Sequence, residues 1–161
     1  MKAVIDSSTL ISLAKINSLG VLNKMDCEFL CPEEVYRECV TEGVLGGRVD
    51  AVMIKRLFDE RTITTKKVVD QHMIAGLSSV DGMILSLALQ EKPAMVFAND
   101  TKLARRIELC GLEARGSPDI LLRMRLKGVL DDKRYIALVK ELGLKMRLSS
   151  SCVEKYLEVV R

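Results

Sequence analysis

Residues 94–106 read AMVFANDTKLARR, an apolar run that ends on Asn99 and Asp100 and passes at once into a helix-like segment. The uninterrupted AMVFA suits a strand buried on both faces of a parallel sheet. Open α/β sheets bind ligands beyond the carboxyl ends of their strands, so an Asp at this junction stands where a site residue would stand. Asp is also a favoured helix N-cap, and the corner taken alone supports either role.

The N-terminus repeats the pattern. KAVID, residues 2–6, is a short strand, and SSTLISLAKI after it places Leu10, Ile11, Leu13, Ala14 and Ile16 at helical spacing. Asp6 therefore closes a strand, with Ser7 and Ser8 as helix-start residues. Asn17 to Lys24 form a turn and a short helix, and CEFLC is a brief buried strand ending at Pro32. Pro32 suits a first helical position, Glu33 and Glu34 favour the positive end of the helix dipole, and Val35, Cys39 and Val40 form an inward stripe. Glu38 lies on the same helix, one turn after Glu34.

GVLGGR, residues 43–48, is a glycine-rich loop without the following Lys-Ser/Thr pair of a phosphate loop. A helix from Val49 to Phe58 and an extended RTITTKKVV follow. LSSVDGMILSLALQEK reads as a helix capped at Ser78 or Ser79 with Asp81 in its first turn, and Pro93 breaks the chain before AMVFA. After TKLARRIELC, Gly111 stops the helix and LEAR forms a last short strand. SPDILLRMRLKGVL, DKRYIALVKELG and SSCVEKYLEVV complete the chain as helices, with no linker, repeat or low-complexity tract.

The expectation is an α/β protein: a three-layer α/β/α sandwich around a mainly parallel sheet of four to five short strands. A single domain spans 1–161, with a core to about residue 126 and a helical extension from about 127 to 161. At 48% hydrophobic and 29% charged, the 161 residues can bury a core without disulfides, which excludes a disordered chain. A net charge of +3 does not by itself indicate nucleic acid. No apolar run is long enough for a membrane span and the N-terminus lacks a signal-peptide pattern, so the expected location is cytoplasmic. Cys27, Cys31, Cys39, Cys110 and Cys152 are odd in number and form no C-x-x-C unit; a zinc site on Cys27, Cys31 and Cys39 is disfavoured by loose spacing and the absence of nearby His, and most are expected as small core or partly buried residues. His72, the only histidine, has no catalytic partner near it in sequence, which argues against metal-free acid–base cleavage.

Asp6, Glu38, Asp81 and Asp100 stand at comparable places, and a parallel sheet can bring the two strand ends together beside the helix residues. Each also has a plain structural explanation, as a cap, a dipole partner or a solvated residue. Four carboxylates at close range repel one another unless a cation compensates. All-oxygen ligands favour Mg2+ or Mn2+ over zinc, and such ions activate water for attack on a phosphodiester.

VIDSSTLISLAKI, PEEVYRECV, LSSVDGMILSLAL and VFANDTKLARRIELCGLEARG together resemble the PIN domain family, in order and over most of the chain. The resemblance implies a metal-dependent ribonuclease whose acidic ligand positions fall on Asp6, Glu38, Asp81 and Asp100. The tail beginning GSPDILLRMRLKGVLDD resembles a prokaryotic branch related to toxin nucleases, which implies an antitoxin partner and a homodimer. The family's preference for Ser or Thr two residues before the late Asp is not met, since Ala98 stands there.

Lys15, Lys102, Arg105 and Arg106 follow the two acidic corners and offer RNA phosphate contacts, with Arg123, Arg125 and Lys127 further on. With three Phe and three Tyr, base stacking has few candidates. The competing readings are a catalytically weak PIN-fold RNA-binding or scaffold protein and, less well supported, a receiver-like phosphoacceptor lacking an evident late lysine.

Overall fold

The computed structural model describes residues 1–70 and 75–160. Five parallel strands form one sheet in the order β3-β2-β1-β4-β5: β1 Lys2–Ile5, β2 Glu28–Pro32, β3 Ile63–Lys66, β4 Met95–Phe97 and β5 Ala114–Arg115. Central β1 aligns Ala3, Val4 and Ile5 with Met95, Val96 and Phe97 of β4, and Ala3 and Val4 with Phe29 and Leu30 of β2. These strands read as continuous apolar runs because helices cover both faces. Phe29 and Phe97 meet across the core with ring centroids 6.1 Å apart.

The order of strands decides where the helices go. Right-handed crossovers put α1 (Ser7–Lys15) and α4 (Val49–Asp59) on one face, where they pack together, and α5 (Ser79–Glu91) and α6 (Thr101–Leu109) on the other. α7 (Ser117–Leu126) and α8 (Asp132–Met146) cover α1, and Tyr135, Leu138, Val139 and Leu142 of α8 join the same hydrophobic core as the sheet. α9 (Ser150–Glu158) packs on α8 where Gly143 lets Val153 approach, since a Cβ at Gly143 would lie 2.5 Å from a Val153 methyl carbon.

Three local details differ from the sequence expectation. Pro32 ends β2 and occupies the N-cap position, and the helix begins at Glu33. That helix is not regular: α2 (Glu33–Tyr36) passes through a π-helical turn at Arg37–Thr41 into α3 (Glu42–Leu45), and Glu38 lies in the turn. The glycine-rich stretch is half helical, because Gly43 serves close packing: a Cβ there would stand 2.6 Å from Cβ of Ala51. The reading of His72 lies outside the described residues.

Candidate acidic site at the switch point of the sheet

β1 pairs with β2 on one side and β4 on the other, so the chain reverses its winding direction between β1 and β4. Ligands of open α/β proteins bind at such a switch point. Asp6 and Asp100 flank it, each as the N-cap of the helix that follows.

Asp6 is 3% exposed. Its N–H donates to the Phe97 carbonyl at 3.0 Å, tying the end of β1 to the end of β4. Its Oδ1 accepts from the Thr9 N–H at 2.7 Å and its Oδ2 from the Ser8 hydroxyl at 2.6 Å. Burial pushes the carboxyl above the ordinary carboxylate range, opposed by the Ser8 and Thr9 hydroxyls and by the backbone N–H groups of Thr9 and Asn99.

Asp100 is exposed and uses Oδ1 to accept from the Leu103 N–H at 2.8 Å. Asp81 is half-buried in the first turn of α5; its Oδ2 accepts from the Ser78 hydroxyl at 2.7 Å, while that hydroxyl accepts from the Asp81 N–H at 3.1 Å. Glu38 is half-buried, and the Arg48 guanidinium holds its carbonyl at 2.9 Å. Next to it, the Cys39 sulfur sits 3.9 Å from the Ser7 carbonyl, linking the π turn to the start of α1. Burial, then the Glu38 carboxylate, with smaller contributions from Cys31 and Asp6, pushes the Cys39 thiol up.

The structure thus brings Asp6 and Asp100 to one end of the sheet, with Glu38 and Asp81 on neighbouring helices. Among the described residues, no three His, Cys, Asp or Glu side chains form a group able to hold a metal ion. The donor chemistry still selects among metals. Burial pushes Cys31 up to about 12, and Cys39 is also raised, so both thiols are protonated in the metal-free chain, and neither has a ligand set of histidines or further cysteines around it among the described residues. Carboxylate oxygens remain, and Mg2+ is often held by one or two of them plus waters and substrate phosphates.

The basic residues divide. Lys102, Arg105 and Arg106 line a concavity of 410 Å³ with Ala75, Gly76, Leu77 and Leu109, and none of the three is ion-paired with a described residue. Lys15 sits at the opposite end of α1 from Asp6, roughly 13 Å along the helix at its ordinary rise. Arg125 pairs with Asp132 at 2.7 Å, and Lys127 with Asp26 at 2.5 Å.

Asn99 has no role assigned by its sequence pattern, yet it is the most connected side chain of the switch point. Its Nδ2 donates to the Ser8 carbonyl at 3.3 Å and to Ser12 Oγ at 2.9 Å. Its Oδ1 accepts from the Ser117 N–H and hydroxyl, both at 2.8 Å. The signal in sequence was its position beside Asp100. A second unanticipated feature lies along β3, where Tyr36 and Phe58, centroids 4.9 Å apart, line a 680 Å³ concavity with Glu33, Arg61, Ile63, Thr64 and Thr65.

An open parallel sheet with Asp6 and Asp100 at the ends of its β1 and β4 defines an open α/β protein. A family model, DUF3368, described as a PIN domain, matches residues 2–161, and the chain belongs to the PIN domain family. PIN domains are generally nucleases and generally use divalent metals. Among solved structures, a PilT N-terminus domain protein from the hyperthermophilic archaeon Sulfolobus solfataricus P2 is similar at 16% identity, covering 76% of this chain and 92% of that one with a TM-score of 0.56. That likeness concerns the fold. Comparison with curated proteins gives no match. No helix among the described residues is long and apolar enough to cross a membrane.

Proposed function

We propose that this chain is a Mg2+- or Mn2+-dependent endoribonuclease that hydrolyses RNA phosphodiester bonds, with Asp6, Glu38, Asp81 and Asp100 as its metal-holding and catalytic carboxylates. The observation that carries this reading is the placement of Asp6 and Asp100 on either side of the β1–β4 switch point. A bound divalent ion would acidify a water for attack and stabilise the leaving oxygen. Asp6, held by Ser8 and Thr9, supplies a fixed carboxylate; Asp100 presents an exposed one toward substrate. Lys102, Arg105 and Arg106 bind RNA phosphates leading away from the Asp100 corner, with Lys15 as a remote contact.

The remaining parts of the reading are a cytoplasmic protein, folded as one domain over 1–161 with the helices from about residue 127 as an extension, acting as a homodimer or with an antitoxin. Exposed Val44, Leu45, Val49 and Val52 on α3 and α4 support a protein partner. The dispersal of the carboxylates favours a second reading, a catalytically weak PIN-fold RNA-binding or scaffold protein.

RNA cleavage by the native chain, Asp6→Asn and Asp100→Asn, with added Mn2+ or Mg2+ and with EDTA, separates the two. The nuclease reading expects metal-dependent cleavage in the native chain and its loss in both variants. Cleavage that survives both substitutions sinks the carboxylate mechanism, and RNA binding without cleavage selects the scaffold.

A further inference from the structure

We infer that the Asn99 carboxamide is a positioning residue that fixes the Asp6 corner relative to the Asp100 corner. The inference rests on the metal-dependent reading above. A side-chain amide has two N–H donors and two acceptor lone pairs. Asn99 uses all four, on Ser8, Ser12 and both donors of Ser117. Its orientation follows from the partners: the Ser117 backbone N–H only donates, so the atom facing it is the oxygen.

The contacts join three segments distant in sequence: the first turns of α1, the β4–α6 corner and the start of α7. On the α1 side, the gripped residue is Ser8, whose hydroxyl donates to Asp6. On the other side, Asn99 is bonded covalently to Asp100, whose carboxylate has a helix cap as its own restraint. The clamp is close-packed, since a Cβ on Gly116 would stand 3.3 Å from Asn99 Oδ1. Two carboxylates that share an ion must keep their separation within about 0.5 Å, and a clamp beside both can set it. Neither carboxylate is touched by the Asn99 amide group itself, so its action is through Ser8 and the backbone.

The test uses the full chain and Mn2+ alone as the probe. Calorimetric titration gives Mn2+ affinity without RNA; cleavage assays then give kcat and KM. Asn99→Ala is expected to fold and to bind Mn2+ about tenfold more weakly, in the range seen when residues that orient metal ligands are changed. Its kcat at limiting Mn2+ falls in parallel and recovers at saturating Mn2+, while KM for RNA is unchanged. Ser12→Ala, which removes one partner and leaves the Ser117 side of the clamp, is expected to weaken Mn2+ binding about threefold, less than the roughly 10–100-fold range for a full loss because half of the clamp remains. It also keeps the question open to measurement should Asn99→Ala fail to fold. Unchanged Mn2+ affinity in folded Asn99→Ala, or in Ser12→Ala when the first variant does not fold, overturns the inference and leaves the nuclease reading intact. A native chain that binds no Mn2+ overturns the metal reading and the clamp with it.

Discussion

The corners at Asp6 and Asp100 share one local design: an apolar parallel strand, an Asp, and a helix whose first turn the Asp caps. Their surroundings differ. β1 has strands on both sides and its helix α1 lies under α7 and α8, so Asp6 is buried. β4 has only two-residue β5 beyond it, and Asp100 is exposed. One pattern therefore yields a rigid carboxylate that is costly to ionise and an accessible one that is not enclosed. The pairing suits a site that must hold an ion and admit a polymer.

The largest expected effect is on cleavage. Asp6→Asn and Asp100→Asn should each reduce metal-dependent RNA cleavage by more than about a hundredfold, because changes to residues merely supporting metal ligands already cost 10–100-fold. A variant of either corner that keeps native turnover would break the comparison, leaving that corner as a cap only.

The open corner continues into Lys102, Arg105 and Arg106, cations without described ion-pair partners, whereas Arg125 of α7 and Lys127 at its end are each ion-paired. Arg105→Ala with Arg106→Ala should weaken RNA binding and lower the slope of log affinity against log salt by about 0.7 for each phosphate no longer neutralised. Arg125→Ala should leave that slope alone. It removes the Asp132 pair and a guanidinium 5.7 Å from the Tyr135 ring centroid. Its expected cost is about 1 kcal/mol of stability, read by urea unfolding. A lowered salt slope in Arg125→Ala would place RNA on both helices and erase the distinction.

Much of the architecture was legible because strand, corner and helix are each local. The unbroken AMVFA marked a strand buried on both faces, and Asp6 and Asp100 marked the ends of adjacent strands. The features that escaped are set by distant residues. Asn99 reads as an ordinary corner residue until α1 and α7 arrive, with partners 91, 87 and 18 positions away. Lys127 is neutralised by Asp26, 101 positions distant, so helical spacing alone could not separate engaged cations from open ones. The π turn at Arg37–Thr41 contains neither Gly nor Pro, leaving no local mark. Gly43 was misleading for the opposite reason: glycine serves turns and close helix packing alike, and here it serves packing against Ala51.

Stability should divide the corners next. With burial raising its carboxyl, folded Asp6 binds its proton more tightly than the unfolded chain does, without added metal. That stabilisation is fully present below the ordinary value of 3.8 and is lost as pH rises through the folded value. Asp6→Asn has no such loss. Its Oδ1 can still accept from Thr9, and the Ser8 hydroxyl can turn to accept from the new amide. Urea unfolding in EDTA should therefore show Asp6→Asn gaining stability on the native chain as pH rises from below 3.8 toward about 7. Mn2+ should stabilise the native chain and not this variant. A native chain that gains relative to Asp6→Asn over the same rise in pH would contradict the assigned burial cost.

The smallest effect belongs to the exposed corner. Asp100 stabilises α6 through one bond to Leu103 N–H, and Asn caps about as well as Asp, so Asp100→Asn should change stability by no more than about 0.5 kcal/mol. Asp100→Ala leaves that N–H to water and should cost about 1 kcal/mol. Both variants lose the carboxylate and should be equally inactive in RNA cleavage. Equal inactivity with unequal stability separates the two duties of Asp100, since a residue acting only as a cap would let Asn restore activity as well as stability.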